Sequence, residues 1–212
     1  MTTQFPSPQL AYDLTQLPAV PLSPLLQSRL ELARVRCGGS RVWRERKLAE
    51  ARDLFALEQI SNRVHLLGLD LSGDLRARLA MRAPVPCLTD PVQPLVVEPC
   101  ALLELIYREE ALYQPAAGSS FVRVAHPRAL WLPNASYDVH QVICLGPVLP
   151  ASIPVKEILL LVYGALCLTT VTLDPADAAG TLNPAACEWW MQNASRIPLS
   201  REPFLLPPDA PP

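Results

Sequence analysis

Apolar residues recur at helical spacing twice near the start of the chain. Ser23-Pro24 offers an N-cap and a first-turn proline, and Leu25, Leu26, Leu30, Leu32 and Val35 follow. The spacing predicts a helix to Arg36, ended by Cys37-Gly38-Gly39. Ser40 then caps a second helix, whose apolar stripe runs through Val42, Trp43, Leu48, Leu54, Phe55 and Leu57. Glu45, Arg46, Glu50 and Arg52 read as its solvated face. The period changes at Asn62. Residues 64–71 read as a strand, Ser72-Gly73-Asp74 as a turn, and Leu75 to Arg82 alternate apolar and mostly basic positions, as a half-exposed antiparallel strand does. Five prolines in residues 83–99 argue against a central strand throughout that stretch. Cys100–Tyr107 and Ser120–Val124 supply a third and a fourth strand. A polar loop from Arg128 to Gln141 follows, then Val142 to Gly146. Pro154 opens an apolar helix through Leu166, and Asn183-Pro184 caps and starts another over 185–193. Helices, then strands, then helices define an α+β class rather than alternating α/β.

Composition narrows this picture. The chain has 212 residues, half of them apolar and 18% charged, which suits one domain and excludes wholesale disorder. A net charge of −2 gives no basic field for nucleic acid. Proline stands out with 24 residues, clustered at both ends, so 1–22 and 198–212 are expected to be Pro-rich tails around a domain over 23–197. The uncharged run from Ile158 to Leu173 is short of the ~20 residues a spanning helix needs, so a core helix and no membrane partner are expected. Six scattered cysteines and no secretory signal at the start suggest free thiols in the cytoplasm. Only Lys47 and Lys156 of the 18 basic residues are lysines. Genome composition explains that scarcity, and so does avoidance of self-modification by a protein that carries an activated carboxyl group.

Metal and phosphate signatures are missing. The three histidines and six cysteines share no ligand spacing, and no metal site is expected. One ordered set of short motifs stands apart: His126-Pro127, Ile143-Cys144-Leu145, Pro150 to Pro154, the apolar helix, Asp174 to Asp177, and Leu182-Asn183-Pro184-Ala185-Ala186. From His126 to Trp190 the chain resembles the catalytic half of ubiquitin-conjugating enzymes. The resemblance implies a ubiquitin-conjugating-like fold, a four-stranded antiparallel meander with flanking helices. It implies that Cys144 carries a ubiquitin-like protein as a thioester. The partners it implies are that ubiquitin-like protein, an activating enzyme, which uses the ATP, and a protein substrate. No cofactor is needed on this chain. The N-terminal helices would dock the activating enzyme.

Two departures from the family pattern matter. Arg128 stands where the family's His-Pro-Asn has its asparagine, and the 18 positions from His126 to Cys144 exceed the usual gap. That asparagine steadies an oxyanion or braces the loop, and an amide donor at such a charge contributes ~3–4 kcal/mol. Asn134 is the first candidate to replace it and His140 the second. Asp177, with Asp174, matches the acidic loop that orients or deprotonates the incoming amine. His126 and Pro127 are expected to support the active-site loop. The variant motif looks most like divergent bacterial members, some of them encoded in antiphage operons. Two alternatives stay open: a non-catalytic binding module of the same fold, and a cysteine hydrolase pairing Cys144 with His126 or His140.

Overall fold

The computed structural model describes residues 21–89, 93–177 and 180–205. Helices α1 (Pro24–Arg36) and α2 (Arg41–Ile60) precede strands β1 (Val64–Asp70), β2 (Leu75–Cys87), β3 (Val96–Tyr107) and β4 (Val122–His126); α3 (Val155–Leu166) and α4 (Pro184–Gln192) follow. The four strands form one antiparallel sheet in sequence order, β1-β2-β3-β4. The chain is therefore α+β with a four-stranded antiparallel meander and four helices.

The caps read from sequence are made. Ser23 accepts from the Leu26 amide, Ser40 from the Trp43 amide and Asn183 from the Ala186 amide. One face of the sheet is the core: Leu75, Ala77, Leu79 and Met81 of β2 and Ala101, Leu103, Leu105 and Tyr107 of β3 are buried. Trp43, Leu54 and Phe55 of α2 and Ile158, Leu159 and Val162 of α3 are buried in the same cluster. The alternate residues Arg76, Arg78 and Arg82 stay exposed on the other face.

Three sequence expectations need correction. First, β2 continues past Arg82 to Cys87, through Pro84 and Pro86. A register shift between Arg82 and Val85 absorbs the change, and β1 pairs no further than Met81. Proline is tolerated at such an irregularity, beyond the point where a neighbouring ladder ends. Second, the charged face of α2 is not wholly solvated. Lys47 and Glu50 are buried, and Glu50 reaches the first residue of α3. Third, the chain from 198 to 205 is packed rather than loose. The Leu199 amide donates to the Cys167 carbonyl at 2.9 Å, the Tyr163 hydroxyl to the Glu202 carbonyl at 2.8 Å and the Ser61 hydroxyl to the Phe204 carbonyl at 3.2 Å. Phe204 and Leu205 are buried. This segment straps α3 to the start of β1. The tails expected over 1–22 and 198–212 otherwise lie outside the described residues, apart from Pro21 and Leu22, which dock against α2 through Gln59 and by burial of Leu22.

The run from Ile158 is a buried helix as far as Leu166. Among the described residues, no helix is long and apolar enough to cross a membrane.

Candidate active site

The loop between β4 and α3 is built from two halves with different tasks. Its first half is anchored against the end of β2. The Leu88 amide donates to the Ala129 carbonyl at 2.9 Å and the Trp131 amide to the Pro86 carbonyl at 2.8 Å. Leu130, Trp131 and Leu132 are buried, so this stretch belongs to the core and is not the polar loop expected from sequence. Helix α4 grips it from the other side. Trp190 Nε1 donates to the Trp131 carbonyl at 2.7 Å, and the Leu182 and Asn183 amides donate to the Pro133 carbonyl at 2.8 and 2.9 Å. The Leu-Asn-Pro motif thus fixes the residue next to Asn134.

The second half is a small hairpin. The Cys144 amide donates to the Asn134 carbonyl at 2.7 Å and the Ser136 amide to the Val142 carbonyl at 2.8 Å, on either side of an Ala135–Ile143 bridge. Side chains alternate along paired strands, and residues directly opposite share a face. Ala135 and Ile143 are fully buried in the core. Asn134 and Cys144 therefore lie together on the other face. The hairpin thus brings an asparagine beside the thiol.

Asn134 Nδ2 donates to the Cys144 carbonyl at 2.9 Å. That bond fixes the amide orientation, because a flip would set two carbonyl oxygens against each other. Asn134 Oδ1 is then a buried acceptor with no hydrogen-bond partner. Cys144 Sγ lies 3.4 Å from the Gly146 carbonyl oxygen, and the residue is 6% exposed.

Cys144 and Asn134 line a cavity of about 250 Å³, closed by Leu161 and Ala165 of α3 and by Asp177 and Gly180 of the following loop. The Asp177 loop is held by its own turns. Asp174 accepts from the Ala176 amide at 3.0 Å, and the Thr181 amide donates to the Asp177 carbonyl at 2.8 Å. Gly180 donates to Asp177 Oδ1 at 3.2 Å. Three of the residues named from sequence thus meet at one cavity: Cys144, Asn134 and Asp177.

The other three do not. His140 is exposed at the hairpin tip, where its amide donates to Asp138 Oδ1 at 2.8 Å. Asp138 also accepts from the Ser136 hydroxyl and the Gln141 amide, and these bonds hold its carboxyl below the usual range. His126 is exposed at the end of β4, and Pro127 is buried behind it, joined by a cis peptide. Gln141, which sequence reasoning missed, braces this loop. Gln141 is 2% exposed; its Nε2 donates to the Val124 and Pro127 carbonyls at 3.0 and 2.8 Å, and its Oε1 accepts from the Leu130 amide at 3.1 Å. A glutamine between histidine and valine in a polar stretch carries no sequence signal for burial. Arg128 donates to the Val139 carbonyl at 2.8 Å and ties down the hairpin tip.

The remaining cysteines separate by environment. No disulfide joins any of the six. Burial pushes Cys87 up to about 12 and Cys167 up to about 11, and raises Cys187. These three stay protonated at neutral pH and are inert as nucleophiles.

No family model matches the sequence, and no curated protein and no solved structure matches the chain.

Proposed function

We propose that the protein is a ubiquitin-conjugating-like transferase with Cys144 as its nucleophile. The observation that carries this reading is the meeting of Cys144, Asn134 and Asp177 at one cavity, with the thiol and the asparagine opposed across the hairpin. The sheet order and the helices before and after it suit a ubiquitin-conjugating-like fold. In the first step Cys144 Sγ attacks the thioester carbonyl of a ubiquitin-like protein carried by an activating enzyme. A new C–S bond forms, the old one breaks, and the thiol proton ends on the departing sulfur. In the second step an amine nitrogen of a protein target attacks the same carbonyl. A C–N bond forms, the C–S bond breaks, and the proton lost by the amine ends on Cys144. Asn134 braces the Cys144 carbonyl through Nδ2, the role left empty by Arg128. Asp177, on the loop wall of the cavity, orients the amine. ATP is spent by the activating enzyme. A bacterial setting in phage defence is the context the variant motif suggests.

One observation favours a second reading, a binding module of the same fold: Cys144 is only 6% exposed. The hydrolase reading has less behind it, because His126 and His140 stand outside the cavity lining.

The test is a charging assay. The chain is mixed with a candidate ubiquitin-like protein, its activating enzyme and ATP, and resolved with and without reductant. A reductant-sensitive adduct is expected, lost in Cys144→Ala. In Cys144→Ser it should become a reductant-resistant, alkali-labile ester, because an oxygen ester replaces the thioester. No adduct with demonstrably active partners leaves the binding module as the better account. Asn134→Ala is expected to charge normally and then discharge to added amine at least about tenfold more slowly. An unchanged discharge rate would remove Asn134 from the reaction.

A further inference from the structure

Any protein that holds an activated carboxyl group as a thioester is surrounded by its own amines. Lysine is the common side-chain amine. The guanidinium of arginine keeps its proton at all working pH values and offers no nucleophilic lone pair. The exposed basic positions of this chain are arginines: the side chains of Arg34, Arg41, Arg76 and Arg78 are 68, 85, 60 and 75% exposed. The two lysines sit elsewhere. Lys47 is 0% exposed, its Nζ donating to the Gly73 carbonyl at 2.7 Å and to the Leu71 carbonyl, 5.3 Å from the centre of the Trp43 ring. The Lys156 side chain is 15% exposed, and its Nζ lies 3.1 Å from Asp53 Oδ2. Both amines are engaged, one by two carbonyls and one by a carboxylate.

Lysine scarcity alone follows from genome composition. Scarcity does not explain where the two survivors lie. A compositional bias acts on codons and is blind to exposure, and most basic residues in any protein are exposed.

We propose that the chain withholds its own lysine amines from its thioester, so that neither lysine competes with the acceptor amine of another molecule. This rests on the transferase reading above. The step avoided is aminolysis in cis: a lysine nitrogen bonding the carbonyl carbon, the C–S bond to Cys144 breaking, and the amine proton passing to the freed sulfur. Its product is an amide-linked self-adduct and a spent enzyme.

Two measurements test the proposal, and the first does not depend on charging. The native chain is treated with an amine-reactive acetylating ester and digested for mass spectrometry. Lys47 is expected to stay unmodified, and Lys156 to react at least about tenfold more slowly than in the urea-unfolded chain, since reaction then waits on local opening. Native reactivity equal to that of the unfolded chain at either lysine overturns the proposal. The second uses the charging assay. The native chain is expected to show only the reductant-sensitive band. Thr172→Lys, which sets an amine on the exposed rim of the cavity, is expected to add a reductant-resistant self-adduct that maps to the introduced side chain. A resistant adduct on Lys47 or Lys156 of the native chain, or a charged Thr172→Lys variant with no resistant adduct, overturns the proposal. A chain that never charges counts against the transferase reading itself, and acetylation then decides the shielding of the two lysines.

Discussion

Glu50→Ala is expected to destabilise the fold by about 3 kcal/mol, the cost of removing a buried carboxylate that accepts charge-assisted hydrogen bonds from the part-buried Arg46 and from the Val155 amide. For a chain of this size that corresponds to a fall in Tm of about 10 °C, measured by thermal unfolding. Glu50 accepts from Arg46 at 2.6 Å on one oxygen and from the Val155 amide at 2.9 Å on the other. Val155 is the first residue of α3, and its N-cap, Pro154, has no side chain to offer. A carboxylate from a neighbouring helix thus fills a cap and faces the positive end of the helix dipole. Helix α3 supplies Leu161 and Ala165 to the cavity, so the loss should reach the site as well as the core.

The same carboxyl gives a pH test. Burial pushes Glu50 above its ordinary value, in spite of the Val155 amide and Arg46, which pull it down. The native side chain therefore binds its proton at a higher pH than the unfolded chain does. Its contribution to stability is fully present below the ordinary carboxylate range and is lost as the pH rises through the raised native value. The stability advantage of the native chain over Glu50→Gln should accordingly be larger near pH ~4 than near pH ~7. Urea unfolding at the two values checks it; an advantage that shrinks at the lower pH would contradict burial as the dominant influence.

Gly118→Val should cost about 3 kcal/mol and disturb the thiol directly. A Cβ on Gly118 would lie 2.3 Å from the Gly146 carbonyl oxygen and 2.8 Å from its nitrogen, both backbone atoms that cannot swing away. The Gly118 amide also donates to that same oxygen at 3.2 Å. The Gly146 oxygen is the one that Cys144 Sγ approaches, and Gly146 has φ +131°, open to glycine and strained for other residues. Pushing this segment aside should change the alkylation rate of Cys144 alongside the unfolding free energy. Gly73→Ala is the control: nothing lies within 4 Å of a Cβ there, and its effect should stay within ~0.5 kcal/mol. Equal effects at both glycines would show that packing against Gly146 is not the cause.

Much of the fold was legible because local chemistry and tertiary packing agree. Ser23-Pro24 and Asn183-Pro184 announce helix starts by what their side chains and rings can do, and the structure uses them so. The alternation from Leu75 to Arg82 marks a strand with one wet face, and that face is exposed. The misreadings arise where a distant partner overrides a local rule. Pro84 and Pro86 look like strand breakers until the neighbouring ladder is seen to stop at Met81. Glu50 looks solvated until an amide from α3 arrives to satisfy it. Gln141 gives no local hint, since its three partners come from β4 and the first half of the loop. At the site, Asn134 could be named beside Cys144 from sequence, but their opposition across the hairpin could not. That His140 would be left at the tip follows only from the hairpin, which sequence spacing does not reveal.

That hairpin also sets an arithmetic for how its loop can vary. Asn134 stands opposite Cys144 because Ala135 and Ile143 pair between them and the tip. Side chains in a two-stranded ribbon change face with every residue. Lengthening or shortening the tip beyond Ser136 and Val142 leaves that opposition alone, whatever the number of residues involved. A single residue inserted between Asn134 and Ala135 would instead carry the amide to the core side and leave the thiol without it. Parity, more than length, is the constraint this segment places on its own divergence.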